Sequence, residues 1–125
     1  LLIDWTSHCL EIMFPKSWSL RTKDDFERVF RTGKPLFFGL VGCKIAKNSL
    51  GHLRIGFSLS KKHLAKATDR NRLRRVIMGA CLLELSEASK LRSYDIVFFT
   101  LKKPLDRDFR PFARVVHSVV EYIGT

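Results

Sequence analysis

Apolar positions along this chain follow two periods, and the switches between them mark out its elements. Phe26, Val29 and Phe30 fall at i, i+3 and i+4, so a helix from about Thr22 to Thr32 has one apolar face. Thr22 followed by Asp25 resembles a capping box, with Asp in place of the usual Glu. Gly33 suits the position just past the helix, and Pro35 forbids continuation. Leu36 to Ile45 is extended, divisible into two short strands bent at Gly39, and Lys47-Asn48-Ser49-Leu50-Gly51 is a turn by composition. Leu53 to Ser60 is a strand with Leu53, Ile55, Phe57 and Leu59 on one face. A long helix from about Lys66 to Leu85, or a little beyond, buries a stripe of Leu73, Val76, Ile77, Ala80 and Cys81. Gly79 weakens its middle without breaking it. Tyr94 to Leu101 is nearly all apolar, which suits a strand with little exposure to solvent, and Pro104 ends it. The last helix spans about Asp108 to Ile123, with Phe109, Phe112, Val116, Val119 and Ile123 at helical spacing and Gly124 closing it. The order is α-β-β-β-α-β-α. It predicts an α+β fold, a two-layer sandwich of about four strands packed with helices.

Charge changes the picture from a fold to a binding protein. The 125 residues fit one domain, and 46% apolar content supports a packed core. Lys and Arg number 23 against 12 acids, a formal charge of +11. Self-repulsion at that charge disfavours a compact state, and a polyanionic partner is the simplest reason to tolerate it. Nucleic acid is the first candidate and an anionic membrane surface the second. No stretch approaches the roughly 18 apolar residues needed to span a bilayer, so no membrane partner is expected. Residues 1–14 lack the basic start of a secretory signal. Cys9, Cys43 and Cys81 are odd in number and far apart, which fits reduced thiols in a cytoplasmic protein better than a disulfide framework or zinc site. Residues 1–15 carry a net −2, leaving +13 on the other 110. Residues 1–13 are therefore set apart as an extension of unknown role: a flexible tail, a remnant of cloning, or sequence upstream of a start at Met13. Residues 14–125 are expected to form a single domain, the one that would bind such a polyanionic partner.

The positive charge is concentrated. Ser58 to Arg75 holds Lys61, Lys62, Lys66, Arg70, Arg72, Arg74 and Arg75 against Asp69 alone. Cations at a helix start oppose its dipole, so crowding them there costs stability unless an anion binds. The same helix start offers free N–H groups to phosphate, and arginine adds a planar fork of donors. At 100° per residue, Asn71, Arg74 and Arg75 point away from the apolar stripe, with Arg70 and Arg72 at its margins. An ordinary solvated face would pair these cations with acids four residues on, and none stand there. The scattered acids and the four histidines, His8, His52, His63 and His117, offer no convergent set for a metal-dependent nuclease. The helix after Arg75 is too short for a zipper-type DNA-binding protein.

The segment Gly56 to Val76, GFSLSKKHLAKATDRNRLRRV, strongly resembles the signature of the bacterial ribonuclease P protein component. Its hallmark is Arg70-Asn71-Arg72, a few residues after a Ser-x-Ser-Lys-Lys strand end. Asp25 to Gly33 looks like the family's first helix, and Arg54-Ile55-Gly56 and Tyr94-Asp95-Ile96-Val97 match its later strands. The resemblance covers about residues 16–123.

The resemblance implies a non-catalytic subunit of an endoribonuclease. It binds ribonuclease P RNA and the 5′ leader of precursor tRNA as a monomer in a 1:1 ribonucleoprotein. The RNA requires Mg²⁺ and performs the hydrolysis; the protein holds no cofactor and no catalytic residue. The family fold has a left-handed β-α-β crossover, against the usual handedness. Lys61, Lys62, Lys66, Arg70, Asn71, Arg72, Arg74 and Arg75 are the expected RNA-binding set. Phe26, Phe30, Arg28 and Lys44 are expected at the leader cleft, between the first helix and the sheet. Many members floor that cleft with an aromatic strand residue; Leu40 to Lys44 supplies none, with Phe37 and Phe38 just before it. Phe26 and Phe30 are either core residues of an amphipathic helix or rings partly open to stack on bases, and a division with one ring mostly buried is expected. The alternative function is a ribosomal-protein-like or regulatory RNA binder with no part in tRNA processing.

Overall fold

The computed structural model describes residues 18–85, 93–103 and 109–124. In chain order the elements are α1 (Lys23–Thr32), β1 (Lys34–Phe38), β2 (Val41–Lys47), β3 (Arg54–Ser58), α2 (Ala67–Leu85), β4 (Tyr94–Thr100) and α3 (Ala113–Gly124). Residues 1–13, Pro104 and Asp108 lie outside the described residues.

Helix α1 starts as its sequence predicts, with Thr22 Oγ1 accepting a hydrogen bond from the Asp25 backbone N–H at 3.2 Å. Its end differs. Gly33 is extended, with φ −74°, and is not a left-handed cap. The requirement for glycine there is spatial: a Cβ would lie 2.4 Å from the Val29 carbonyl oxygen. The chain then runs directly into β1. At Gly39 it reverses completely where only a bend was expected, because Gly39 has φ +73° at the first position of a two-residue loop. That is where a II′ hairpin needs glycine.

The sheet order is β1-β2-β4-β3, with β1–β2 and β2–β4 antiparallel and β3–β4 parallel. Parallel neighbours need a long crossover, and α2 lies in it. Strand β4 sits between two strands and has a helix layer on each face, which accounts for its nearly continuous apolar run. On one face Cys43, Ile45, Ile55, Ile96 and Phe98 pack with the α2 stripe Leu73, Val76, Ile77, Ala80 and Cys81, and with Val115, Val116 and Val119 of α3. On the other, Ala46 and Val97 pack with Leu20 and with Val29 of α1. The helices thus occupy both faces of the sheet, α1 alone on one and α2 with α3 on the other.

The final helix begins later than its periodicity predicts. Arg110–Phe112 form a 3₁₀ turn containing Pro111, and α3 starts only at Ala113. Proline fits the first turn and not the interior of a helix, so it delays the regular ladder. Phe109 is still fully buried, as its place in the apolar series predicts, although it stands before the helix.

Ladder partners lie side by side on one face, so the register lays out rows across the α1 side of the sheet. The first row is Ala46, Asp95 and Arg54; the second is Lys44, Val97 and Gly56; the third is Phe37, Gly42, Phe99 and Ser58. Helix α1 lies over the first two, and its Phe30 reaches Phe99 in the third.

Candidate RNA interface

The start of α2 is held in place by the end of the sheet. The Ser60 backbone N–H donates to Thr100 Oγ1 at 3.0 Å, and His63 Nδ1 lies 3.2 Å from the same oxygen. The Ser60 carbonyl accepts from the N–H groups of His63 and Leu64. Leu64 is buried in the core. This pins the tight turn Ser60–His63, from which Lys61 and Lys62 project into solvent. Lys66 is exposed too, and its carbonyl accepts from the Asp69 and Arg70 N–H groups at the entry to the helix.

The arginines expected to act as one ridge fall into distinct settings. Arg72 and Asn71 are exposed. Arg70 is partly buried, and its Nη1 donates to the carbonyls of Leu64 at 2.8 Å and Ala65 at 3.0 Å, clamping the loop that leads into α2. Arg74 was expected to point away from the packed side of the helix. Its guanidinium instead lies 5.6 Å from the Phe57 ring centroid on β3 and donates to Asn71 Oδ1 at 2.7 Å. A planar cation readily covers an aromatic face that the helix leaves open, and Phe57 is such a face, itself stacked on Phe98. Burial, with the charge of Arg70 beside it, moves the Arg74 pKa down. Arg75 is partly buried. No ion pair joins Arg70, Arg72, Arg74 or Arg75 to an acid among the described residues.

On the opposite face, α1 and the sheet enclose the groove expected to receive the leader. The four residues assigned to it come together, each with an internal partner. The Phe26 ring lies on Gly56, where a Cβ would come within 2.6 Å of it. Phe30 meets Phe99 of β4, with ring centroids 6.0 Å apart. Both rings are partly buried, so each is neither a sealed core residue nor a free one. Lys44 Nζ donates to the Phe30 carbonyl at 2.6 Å and sits 5.5 Å from the Phe30 ring centroid. A cation there satisfies a carbonyl of the last helical turn and suits the negative end of α1.

Arg28 belongs to a cluster that the sequence reading did not assemble. It donates to Asp95 Oδ2, a carboxylate with no exposed surface. Arg54 engages the same carboxylate with two donors, Nε to Oδ1 at 2.9 Å and Nη2 to Oδ2 at 2.7 Å. Asn48 Nδ2 adds a bond of 2.7 Å to Oδ1, and Arg54 Nη1 reaches Asp25 Oδ2 at 3.1 Å. Burial pushes the Asp95 carboxyl up, but Arg54, Asn48 and Arg28 outweigh it and hold it below its ordinary value. Asp25 is likewise held down, chiefly by its hydrogen bond with Thr22. The signal in the sequence was Asp95 itself, a charge within an apolar strand, which must find a partner when buried. The two carboxylates nearest the groove, Asp95 and Asp25, are therefore both engaged by guanidinium groups.

The chain is similar to known proteins in sequence and in fold. Residues 14–124 match the family model for ribonuclease P. The chain is 33% identical over 108 residues to the ribonuclease P protein component of Clostridioides difficile (strain 630), covering 86% of this chain and 93% of that one. It is 38% identical over 95 residues to that of Lactobacillus gasseri, 75% of each chain. Its fold matches the RNase P protein from Thermotoga maritima with a TM-score of 0.69 at 25% identity, covering 83% of this chain and 96% of that one. The RNase P protein of Staphylococcus aureus gives a TM-score of 0.70 at 22% identity, over 88% and 97% of the two chains. The α2 start and the α1 groove both lie within the matched span, and the chain belongs to the ribonuclease P protein family, the protein subunits of a tRNA-processing ribonuclease.

Proposed function

We propose that this chain binds ribonuclease P RNA through the start of α2 and holds the 5′ leader of precursor tRNA along the α1 face of the sheet. The observation that carries this reading is the placement of charge. Lys61, Lys62, Lys66 and Arg72 stand exposed at one helix start, whereas Arg28 and Arg54 beside the groove are neutralised by Asp95 and Asp25. The first set suits a polyanion bound through its phosphates. The second leaves a groove with aromatic rings beside the Lys44 ammonium, suited to an unpaired strand held by stacking.

Hydrolysis belongs to the RNA, with Mg²⁺ held there, since the chain's own carboxylates near the groove are spoken for by arginines. The protein's cations replace part of the counterion atmosphere that folding and docking of two RNAs require. It acts as a monomer within a 1:1 particle in the cytoplasm, consistent with Cys43 and Cys81 being buried thiols outside any disulfide. Burial moves the Cys43 thiol up to about 12, which leaves it unreactive.

Reconstitution with ribonuclease P RNA at limiting Mg²⁺, scored by cleavage of precursor tRNA, tests the reading. Protein should lower the Mg²⁺ requirement and cleave nothing alone. Cleavage by nuclease-free protein without RNA would refute the division of labour.

A further inference from the structure

Helix α1 is held to the sheet by little apolar burial. Val29 is its one fully buried residue, while Phe26 and Phe30 keep part of their surface open. Apolar contact has no preferred direction, so a helix with so small a buried stripe slides and tilts on its neighbours unless other bonds fix it. Those bonds stand at both ends of α1.

In its first half the helix exchanges opposite charges with the sheet. Asp25 accepts from Arg54 Nη1 of β3 at 3.1 Å, and Arg28 Nη2 donates to the Asp95 carboxylate of β4. Asp25 and Arg28 are three residues apart, which makes them neighbours on the helix surface. The two pairs run in opposite senses. The helix gives an acid and then a base, and the sheet answers with a base and an acid. Moving α1 by one turn along its axis would break both pairs. Arg28 Nη1 also lies 3.4 Å from the Lys47 carbonyl, so one guanidinium ties α1 to the end of β2 and the start of β4. At the far end, Lys44 of β2 donates from Nζ to the Phe30 carbonyl at 2.6 Å. That bond fixes the turn from which the Phe30 ring reaches Phe99.

We propose that Arg28 and Lys44 are positioning residues for the leader: they pin the two ends of α1 and so set the width of the groove between helix and sheet, without themselves bonding the leader. This rests on the leader-binding reading above and changes the role of two residues assigned to the groove. Their donors are already engaged within the chain. A groove fixed in advance spares the complex the cost of ordering it on binding. The fastening is also separable from the fold. When Arg28 is removed, Asp95 keeps two donors from Arg54 and one from Asn48.

The test uses Arg28→Met and Lys44→Met, which keep an apolar stem and remove the donors. In the free protein, amide hydrogen exchange should quicken in α1 and stay unchanged in α2 and β4. In the particle reconstituted with ribonuclease P RNA, each variant should weaken leader-bearing tRNA by roughly 2- to 30-fold, the range for residues that act through packed neighbours. Affinity for the same tRNA without a leader should not change. The salt dependence of leader-bearing affinity should keep the slope of the parent, whereas a lost phosphate contact would lower it by roughly one unit. Arg28→Lys, which retains the charge, should recover part of the loss. The inference is overturned if α1 exchanges as it does in the parent, or if neither Met variant alters leader discrimination. It is equally overturned if the slope falls together with the affinity, which would make these side chains direct phosphate contacts. A parent particle that does not distinguish leader-bearing from leaderless tRNA would instead bring down the leader reading. Exchange in the free protein then still decides whether the two residues hold the helix.

Discussion

Two groups of arginines on this protein differ in almost every respect except residue type. Arg28 and Arg54 converge from α1 and β3 on Asp95, a fully buried carboxylate, and Arg54 also takes Asp25. Arg70, Arg72, Arg74 and Arg75 crowd the first turns of α2 with no ion pair to an acid among the described residues. The first group is complete within the chain. The second is satisfied in part by carbonyls and an aromatic ring, while Arg72 stands exposed. The contrast teaches that arginine count alone does not locate a polyanion site: what matters is which guanidinium groups the fold has already used.

The largest expected effect lies in the closed group. Asp95→Asn should destabilise the fold by about 3–5 kcal/mol, the usual cost of leaving buried charges without their counter-charge. Urea denaturation measures it. The sign of its pH dependence follows from the depressed pKa of Asp95. The carboxylate's contribution is complete above the unfolded value of about 3.9 and is lost as pH falls through the lower folded value. The acid limb of the stability curve should therefore be shallower in Asp95→Asn than in the parent. A variant as stable as the parent at neutral pH would show that the cluster is not the fastening it is taken to be.

Within the open group, Arg70 and Arg72 should separate. Arg70→Ala removes bonds to two loop carbonyls and should cost about 1–2 kcal/mol in stability as well as RNA affinity. Arg72→Ala should change stability by no more than about 0.5 kcal/mol, yet weaken RNA binding and flatten its salt dependence by roughly one unit of slope. Thermal melts and filter binding across a salt series decide this. Equal effects on folding would erase the distinction between clamping and binding arginines.

The smallest effect sharpens the position of Arg74, which sits between the two behaviours. Phe57→Leu should lose about 0.5–1 kcal/mol through the cation–π contact. A double-mutant cycle with Arg74→Met isolates that coupling. A coupling of zero would return Arg74 to the exposed ridge.

Much of this was legible along the chain because it depends on local pattern. Thr22 with Asp25 announces a helix start, and the Leu73 to Cys81 stripe predicts which side of α2 is buried. The apolar run from Tyr94 marks a central strand, and the ordered motif around Arg70-Asn71-Arg72 marks the family. These features rest on backbone hydrogen bonding and on periodicities of two and 3.6 residues, which act over a few residues at a time.

What only the tertiary structure decided is which side chains meet across strands. Asp95 finds Arg28 and Arg54 from 67 and 41 residues away in sequence. Phe99 lies over Gly42 because their strands are paired in register, and Arg74 turns to Phe57 because α2 packs beside β3. Even Gly33, readable as a helix stop, owes its identity to the nearness of the Val29 carbonyl and not to a left-handed backbone. Sequence determined the elements, the faces they bury and the excess of positive charge. The register of the sheet determined which charges cancel and which rings stay open, because pairings across the sheet join residues that no local pattern relates.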